Sequence, residues 1–208
     1  MAPMSLGADD LSIAVREHPT MSSILLTAPA VEPLSLAEAK AFLRVEHSDD
    51  DALIAALAAG SRIHVETQTR RALITQHWRL SFDGWPEEGR IAIRPGPLQE
   101  VTAARVLDFD GNAHAIDLQS FVADRGASAL AFAPWAMPQP GRLAAGIELD
   151  VTVGYGDAAA DVPEPLRQAI RLLVAHWYEN RGLAAIGTVT VLPTTVAALI
   201  APYRMLSL

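Results

Sequence analysis

The chain has 208 residues, 50% hydrophobic and 19% charged, and its 16 Lys and Arg against 24 Asp and Glu leave a net charge of −8. This length and mix suit one or two small folded domains with a real core and exclude an intrinsically disordered chain. The acidic balance argues against a nucleic-acid surface built on phosphate neutralisation, although arginines do gather between Arg62 and Arg105. The absence of cysteine excludes disulfides, thiolate catalysis and Cys-ligated zinc. Apolar runs such as 52–60 are far shorter than the roughly 20 residues of a membrane-spanning helix, so no membrane association is expected.

The first residues carry Asp9, Asp10, Arg16 and Glu17, which does not read as a secretory signal. Residues 1–32 read as a flexible arm, with Met21 as an alternative start. Ser35-Leu36-Ala37-Glu38 is a capping box that predicts a short helix to about Val45. Asp49-Asp50-Asp51 predicts the start of a longer helix, its acids suited to the positive end of the helix dipole. Leu53, Ile54, Leu57, Ser61 and Val65 fall near one face, and the helix is expected to end near Arg70.

From residue 73 the period changes to two. Trp78, Leu80 and Phe82 alternate with polar neighbours, and Ile147, Leu149, Val151 and Val153 alternate with Glu148, Asp150 and Thr152. Short strands are predicted between them, at 91–93, 101–108, 115–118 and 130–132, with Asp110-Gly111 as a hairpin turn. The helical period returns with Leu166, Ile170, Leu173, Val174 and Trp177, after prolines 163 and 165 that suit a first turn, and Gly182 reads as the stop. Pro193 opens a final helix whose Val196, Leu199, Ile200 and Tyr203 share a face. The predicted class is α+β, a helical bundle made by the N- and C-terminal helices with an inserted antiparallel β-sheet or small barrel. Its segments are 1–32 (arm), 33–72 (helices), 73–158 (β insertion) and 159–208 (helices and tail).

Candidate chemistry resolves into packing or capping. The aspartates 49–51 lack the glycine-bearing loop of a calcium site and read as N-terminal capping. His64 with Glu66 lacks the i, i+4 histidine pair of a zinc protease helix. His176 with Glu179 has a di-iron spacing but no second copy, so a packing or hydrogen-bonding role is expected. Gly154-Tyr155-Gly156-Asp157 lacks the lysine of a phosphate loop and reads as a turn. No G-x-S-x-G elbow is present. Trp78 and Trp177 fit core faces, while Trp85 and Trp135 lie beside turn prolines and are expected to be more exposed. No catalytic, metal or cofactor residue is assigned.

Two passages resemble the tailed-phage head–tail connector (adaptor) family, which includes the adaptors of gene transfer agents. The first comprises Leu34-Ser35-Leu36-Ala37-Glu38-Ala39-Lys40, Leu43-Arg44-Val45, Asp49 to Ile54 and Thr69 to Gln76. The second comprises Gly154-Tyr155-Gly156, Val162-Pro163, Leu166 to Ile170, His176 to Arg181 and Leu199 to Arg204. They bracket residues 34–204, and their order and spacing carry the resemblance; the β segment matches only in style.

The resemblance implies a structural virion protein rather than an enzyme. It implies a ring of copies of this chain, usually a dodecamer, under the portal protein and above a stopper or other tail-side connector. DNA would pass through its channel without sequence-specific binding. It places the protein in the neck of a phage-like particle, assembled in the bacterial cytoplasm. In the family the C-terminal segment docks into the portal, here 186–208, with Leu192, Val196, Leu199, Ile200, Tyr203 and Arg204 as the portal-binding residues. Competing readings are a stopper or tail terminator, which the four predicted helices disfavour, a carbohydrate- or nucleotide-acting enzyme, and a scaffold unrelated to viruses.

Overall fold

The computed structural model describes residues 21–180 and 193–205. The capping box forms as expected: the Ser35 side chain accepts from the Glu38 N–H while the Glu38 carboxylate accepts from the Ser35 N–H at 3.0 Å. Helix α1 (Leu36–Leu43) follows and ends where Arg44 turns left-handed. Helix α2 (Asp51–Thr69) ends the same way at Arg70. Its buried stripe is Ile54, Ala58, Ser61, Val65 and Thr69. Leu53, expected on that face, is exposed. The stripe advances from Ile54 by three- and four-residue steps, which leaves the preceding residue on the flank.

The expected capping by the aspartates is corrected at Asp50. It occupies the N-cap position, but its side chain makes no capping bond. Its carboxylate instead accepts a 2.6 Å hydrogen bond from the Tyr178 hydroxyl on a distant helix. Asp51, in the first turn, pairs with Lys40 of α1 at 2.5 Å.

Five antiparallel strands form one sheet in the order β1-β2-β8-β4-β5, from β1 (Met21–Thr27), β2 (Gln76–Phe82), β8 (Ile147–Val153), β4 (Leu98–Leu107) and β5 (Ala113–Ala115). A second sheet has the order β3-β7-β6, from β3 (Arg90–Ala92), β7 (Ala129–Phe132) and β6 (Phe121–Asp124). Neither closes into a barrel, so the barrel alternative gives way to two open sheets. The register explains the two-residue alternation: Trp78, Leu80 and Phe82 stand opposite Val151, Leu149 and Ile147. All six therefore share one face of the sheet, packed with Ile91 and Leu130 of the second sheet in one apolar cluster. The Asp110-Gly111 turn joins β4 to β5, with Gly111 at φ 87° donating its N–H to Asp108 O.

Two strands escaped the sequence reading. Met21–Thr27, placed there in the arm 1–32, forms β1 and pairs antiparallel with β2. All seven of its residues are exposed, so it has no buried face to imprint an alternating pattern. Strand β6 is only four residues long and exposes Val122 and Ala123 at its centre. Leu118, expected to end a strand over 115–118, begins a 3-10 turn.

Helix α3 (Glu164–Glu179) starts after Pro163 and buries Leu166, Ala169, Ile170, Leu173 and Val174. Helix α4 (Thr194–Ile200) buries Val196 and Ile200. These residues join Leu34, Ala39, Ile54, Ala58 and Val65 in a second apolar cluster. Gly182, expected as the stop of α3, lies outside the described residues.

Candidate interaction surfaces

The residues assigned to portal binding divide sharply. Val196 and Ile200 are fully buried in the chain's own helical cluster, and Leu199 and Tyr203 pack against it half-buried. Arg204 is exposed and donates to Gln68 Oε1 at 2.8 Å. Leu192 lies outside the described residues. The segment is tied down on α2 and the residues just after it: Arg71 Nε donates to Tyr203 O at 2.6 Å, and Met205 N donates to Thr69 O at 3.0 Å. A partner meeting this end of the molecule would therefore meet the outer face of α4, with Thr194, Thr195 and Ala198, followed by Ala201, Pro202 and Arg204.

A second surface was not legible in the sequence. A cavity of about 550 Å³ opens between β1 and α2, its apolar wall made by Met21, Leu25, Ile63 and Trp78. Its charged lining is four arginines, Arg62, Arg70, Arg71 and Arg94, against one acid, Glu66. A polar chain supports it. Trp78 Nε1 donates to Gln76 Oε1, and Gln76 Nε2 donates to Glu66 Oε1 at 2.8 Å. The same Glu66 oxygen accepts from Leu73 N at 2.9 Å, and the other accepts from Arg62 Nη1 at 2.7 Å. Arg62 Nε donates in turn to Glu32 at 2.8 Å. Burial pushes the Glu66 carboxyl upward against these donors, while Arg62, held between two carboxylates, stays charged.

The sheet's outer face carries a charge ladder across three strands. Arg79 on β2 grips Asp150 on β8 with two hydrogen bonds, at 2.7 and 3.0 Å, and Arg105 on β4 donates to the same carboxylate. The Arg79 contact, with the Arg105 charge, holds the Asp150 carboxyl below the usual aspartate range.

The remaining candidates take structural places. His64 meets the Trp177 ring edge-on, with centroids 5.9 Å apart. The His176 carbonyl accepts from Asn180 N at the end of α3. Trp85 stacks among Phe121 and Phe132, with its N–H on Pro138 O at 2.9 Å, whereas Trp135 is almost fully exposed. Among the described residues no group of three or more His, Asp or Glu is placed to hold a metal ion, and no helix is long and apolar enough to cross a membrane.

No protein-family model matches the chain, and no curated protein matches it. Solved structures do. A chain from the neck of an empty GTA particle computed with C6 symmetry superposes with a TM-score of 0.76 at 25% identity, covering 90% of this chain and 97% of that one. A chain from the virion of a native gene transfer agent (GTA) particle gives 0.75 at 24% identity, over 89% and 96%. A third, from the neck of the native GTA particle computed with C12 symmetry, gives 0.69 at 26% identity, over 89% and 97%. The chain resembles gene transfer agent neck proteins. The likeness spans nearly the whole length of both partners, so it includes the β segment that the sequence resemblance matched only in style. It agrees with the head–tail connector resemblance and makes this chain similar to structural proteins of a virion neck.

Proposed function

We propose that this chain is a head–tail adaptor: a non-enzymatic neck protein that forms a ring under the portal, joins the head to the next connector and surrounds the path of the DNA. The observation that carries the reading is the likeness over 90% of this chain to a chain from a GTA neck. The cyclic symmetries of the two neck reconstructions support a ring of copies, with a dodecamer as the expected count. A net charge of −8 suits a channel that DNA slides through without adhering. In this reading the four helices act as one bundle that holds the neck position, carrying the β segment 73–158 as its insertion. The chain assembles with its partners in the bacterial cytoplasm and ends in the particle neck.

The C-terminal segment supplies the portal contact. Because Val196 and Ile200 pack inward, the contact belongs to the exposed side of α4 and to Arg204, with Leu199 and Tyr203 at its margin. Leu192 is assigned to it as well. Co-purification of the full chain with its portal protein tests this. The double variant Ala198→Glu with Arg204→Glu should weaken portal capture at least roughly tenfold while the melting temperature stays within a few degrees of the parent. Undiminished capture would remove this face from the interface, and no ring in class averages of the particle neck would remove the adaptor reading itself.

A further inference from the structure

A ring built by cyclic symmetry joins unlike faces, so each copy must carry both halves of the contact on different parts of its surface. The five-stranded sheet offers two such places at opposite edges. One edge, β1, borders the arginine-lined cavity against α2. At the other edge the β4–β5 turn projects Asp108-Phe109-Asp110, with Phe109 87% exposed. The neighbouring loop is folded onto this turn. Gly141 N donates to Leu107 O at 2.9 Å, and an added Cβ at Gly141 would lie 2.3 Å from the Phe109 nitrogen. Leu143, two residues on, is 99% exposed.

We propose that the Asp108-Phe109-Asp110 tip of one copy seats in the cavity between β1 and α2 of the next copy around the ring. Three features match. The cavity, about 550 Å³ with walls of Met21, Leu25, Ile63 and Trp78, accommodates an aromatic ring. Even with Arg62 set against Glu66 and Glu32, the arginines of the lining, with Arg70, Arg71 and Arg94, outnumber the acids, and they meet a tip that places an acid on each side of the phenylalanine. The tip is also pre-shaped: Asp108 accepts from Asn112 N at 2.8 Å and pairs with His114 at 3.0 Å, contacts that keep its carboxyl ionised. A phenylalanine buries only about 150–250 Å². A stable interface needs about 1,200 Å² or more. This contact therefore orders copies already gathered at the portal and leaves the isolated chain monomeric.

This inference rests on the ring reading, and the test separates the two. The chain has no cysteine, so thiol chemistry addresses only introduced sites. Thr67→Cys lines the cavity, and Ala113→Cys stands on β5 beside the tip while leaving Asp108, Phe109 and Asp110 in place. The doubly substituted full chain, bound to its portal protein, is treated with a short bismaleimide and resolved on a denaturing gel. A ladder of multimers is expected, with each single substitution giving none. Phe109→Ala in the double background should lower the ladder yield at least roughly tenfold. A ring visible by cryo-electron microscopy that yields no ladder, or a ladder indifferent to Phe109→Ala, overturns the inference and leaves the ring intact. A cross-link from position 67 to a tail-side connector, identified by mass spectrometry, assigns the cavity to that partner and also overturns it. No ring in any preparation fails the reading on which it rests.

Discussion

The two apolar clusters of this molecule are assembled in different ways. The sheet cluster draws on one continuous stretch, from Ala72 to Val153, and its strands pair as neighbours through registers such as Leu80 with Leu149. The helical cluster closes only when Leu34 and Ile54, from one end of the chain, meet Leu173 and Ile200 from the other. The buried side chains of the sheet cluster thus come from a single stretch, while the helical cluster needs both flanks of the chain. For a protein whose terminal helix is proposed to meet a partner, the region with the longer closure is also the one at the contact.

The strongest way to break this comparison is to remove residues 193–208. That deletes Val196 and Ile200, each fully buried, and truncating one such side chain alone costs about 2–5 kcal/mol. The loss is thus on the order of the whole stability of an ordinary domain. Hydrogen exchange should show α1, α2 and α3 losing protection while β2, β4 and β8 keep theirs. Equal loss in both regions would mean that the clusters form one cooperative unit. The same result bears on portal binding. A truncated chain that fails to bind has lost its own helical core, so substitutions on the outer face of α4 carry that question better.

How much of this was legible in the sequence follows from the range of each interaction. The Ser35–Glu38 capping box and the Arg70 helix end were readable because their determinants lie within a few residues. The β2 and β8 alternation was readable because one face of each strand is buried. Strand β1 was not, since it is held by backbone pairing and exposes every side chain. Asp50 read as a cap because nothing local announces that Tyr178 takes its carboxylate. The cavity lining was invisible for the same reason: its arginines come from α2, from the residues just after it and from the segment after β3, and only the fold gathers them. Phe109 read merely as part of a turn region; its exposure opposite an arginine-lined edge is a property of the sheet order.

A middle-sized test probes the seam between the two clusters. Gly154 ends β8 at φ 128°, and an added Cβ would lie 2.7 Å from the Ile74 carbonyl carbon and oxygen. Around it Gly154 N donates to Pro97 O, Tyr155 N to Leu73 O, and Thr75 N to Gly156 O. Ile74 belongs to the helical cluster and Val153 to the sheet cluster, so strain here acts on both. Gly154→Ala should cost at least about 1–3 kcal/mol, the range for a side chain forced into a sparsely populated backbone region, with the close approach to Ile74 adding to it. Chemical denaturation would measure it, and exchange protection should fall in both regions together. A loss confined to one would show that this seam does not couple them.

The smallest expected effect isolates the sheet region through pH. Asp150 is held below the ordinary aspartate range of about 4, first by the Arg79 hydrogen bond and then by the Arg105 charge, with burial opposing both. Because its folded value is depressed, the stability it contributes is complete above the ordinary range and disappears as pH falls through the folded value. Glu66 slopes the other way: its raised carboxyl must ionise inside the fold as pH rises, which removes stability there. The two trends overlap in the parent protein, but a difference curve against Asp150→Asn cancels the Glu66 part, which both proteins share. The variant should be less stable by about 1 kcal/mol at neutral pH, a value reduced by solvent screening at this sheet face. The two melting curves should converge toward strongly acidic pH. Coincident curves at every pH would mean that Arg79 and Arg105 grip the amide as well as the carboxylate, and that the ladder works by shape instead of charge.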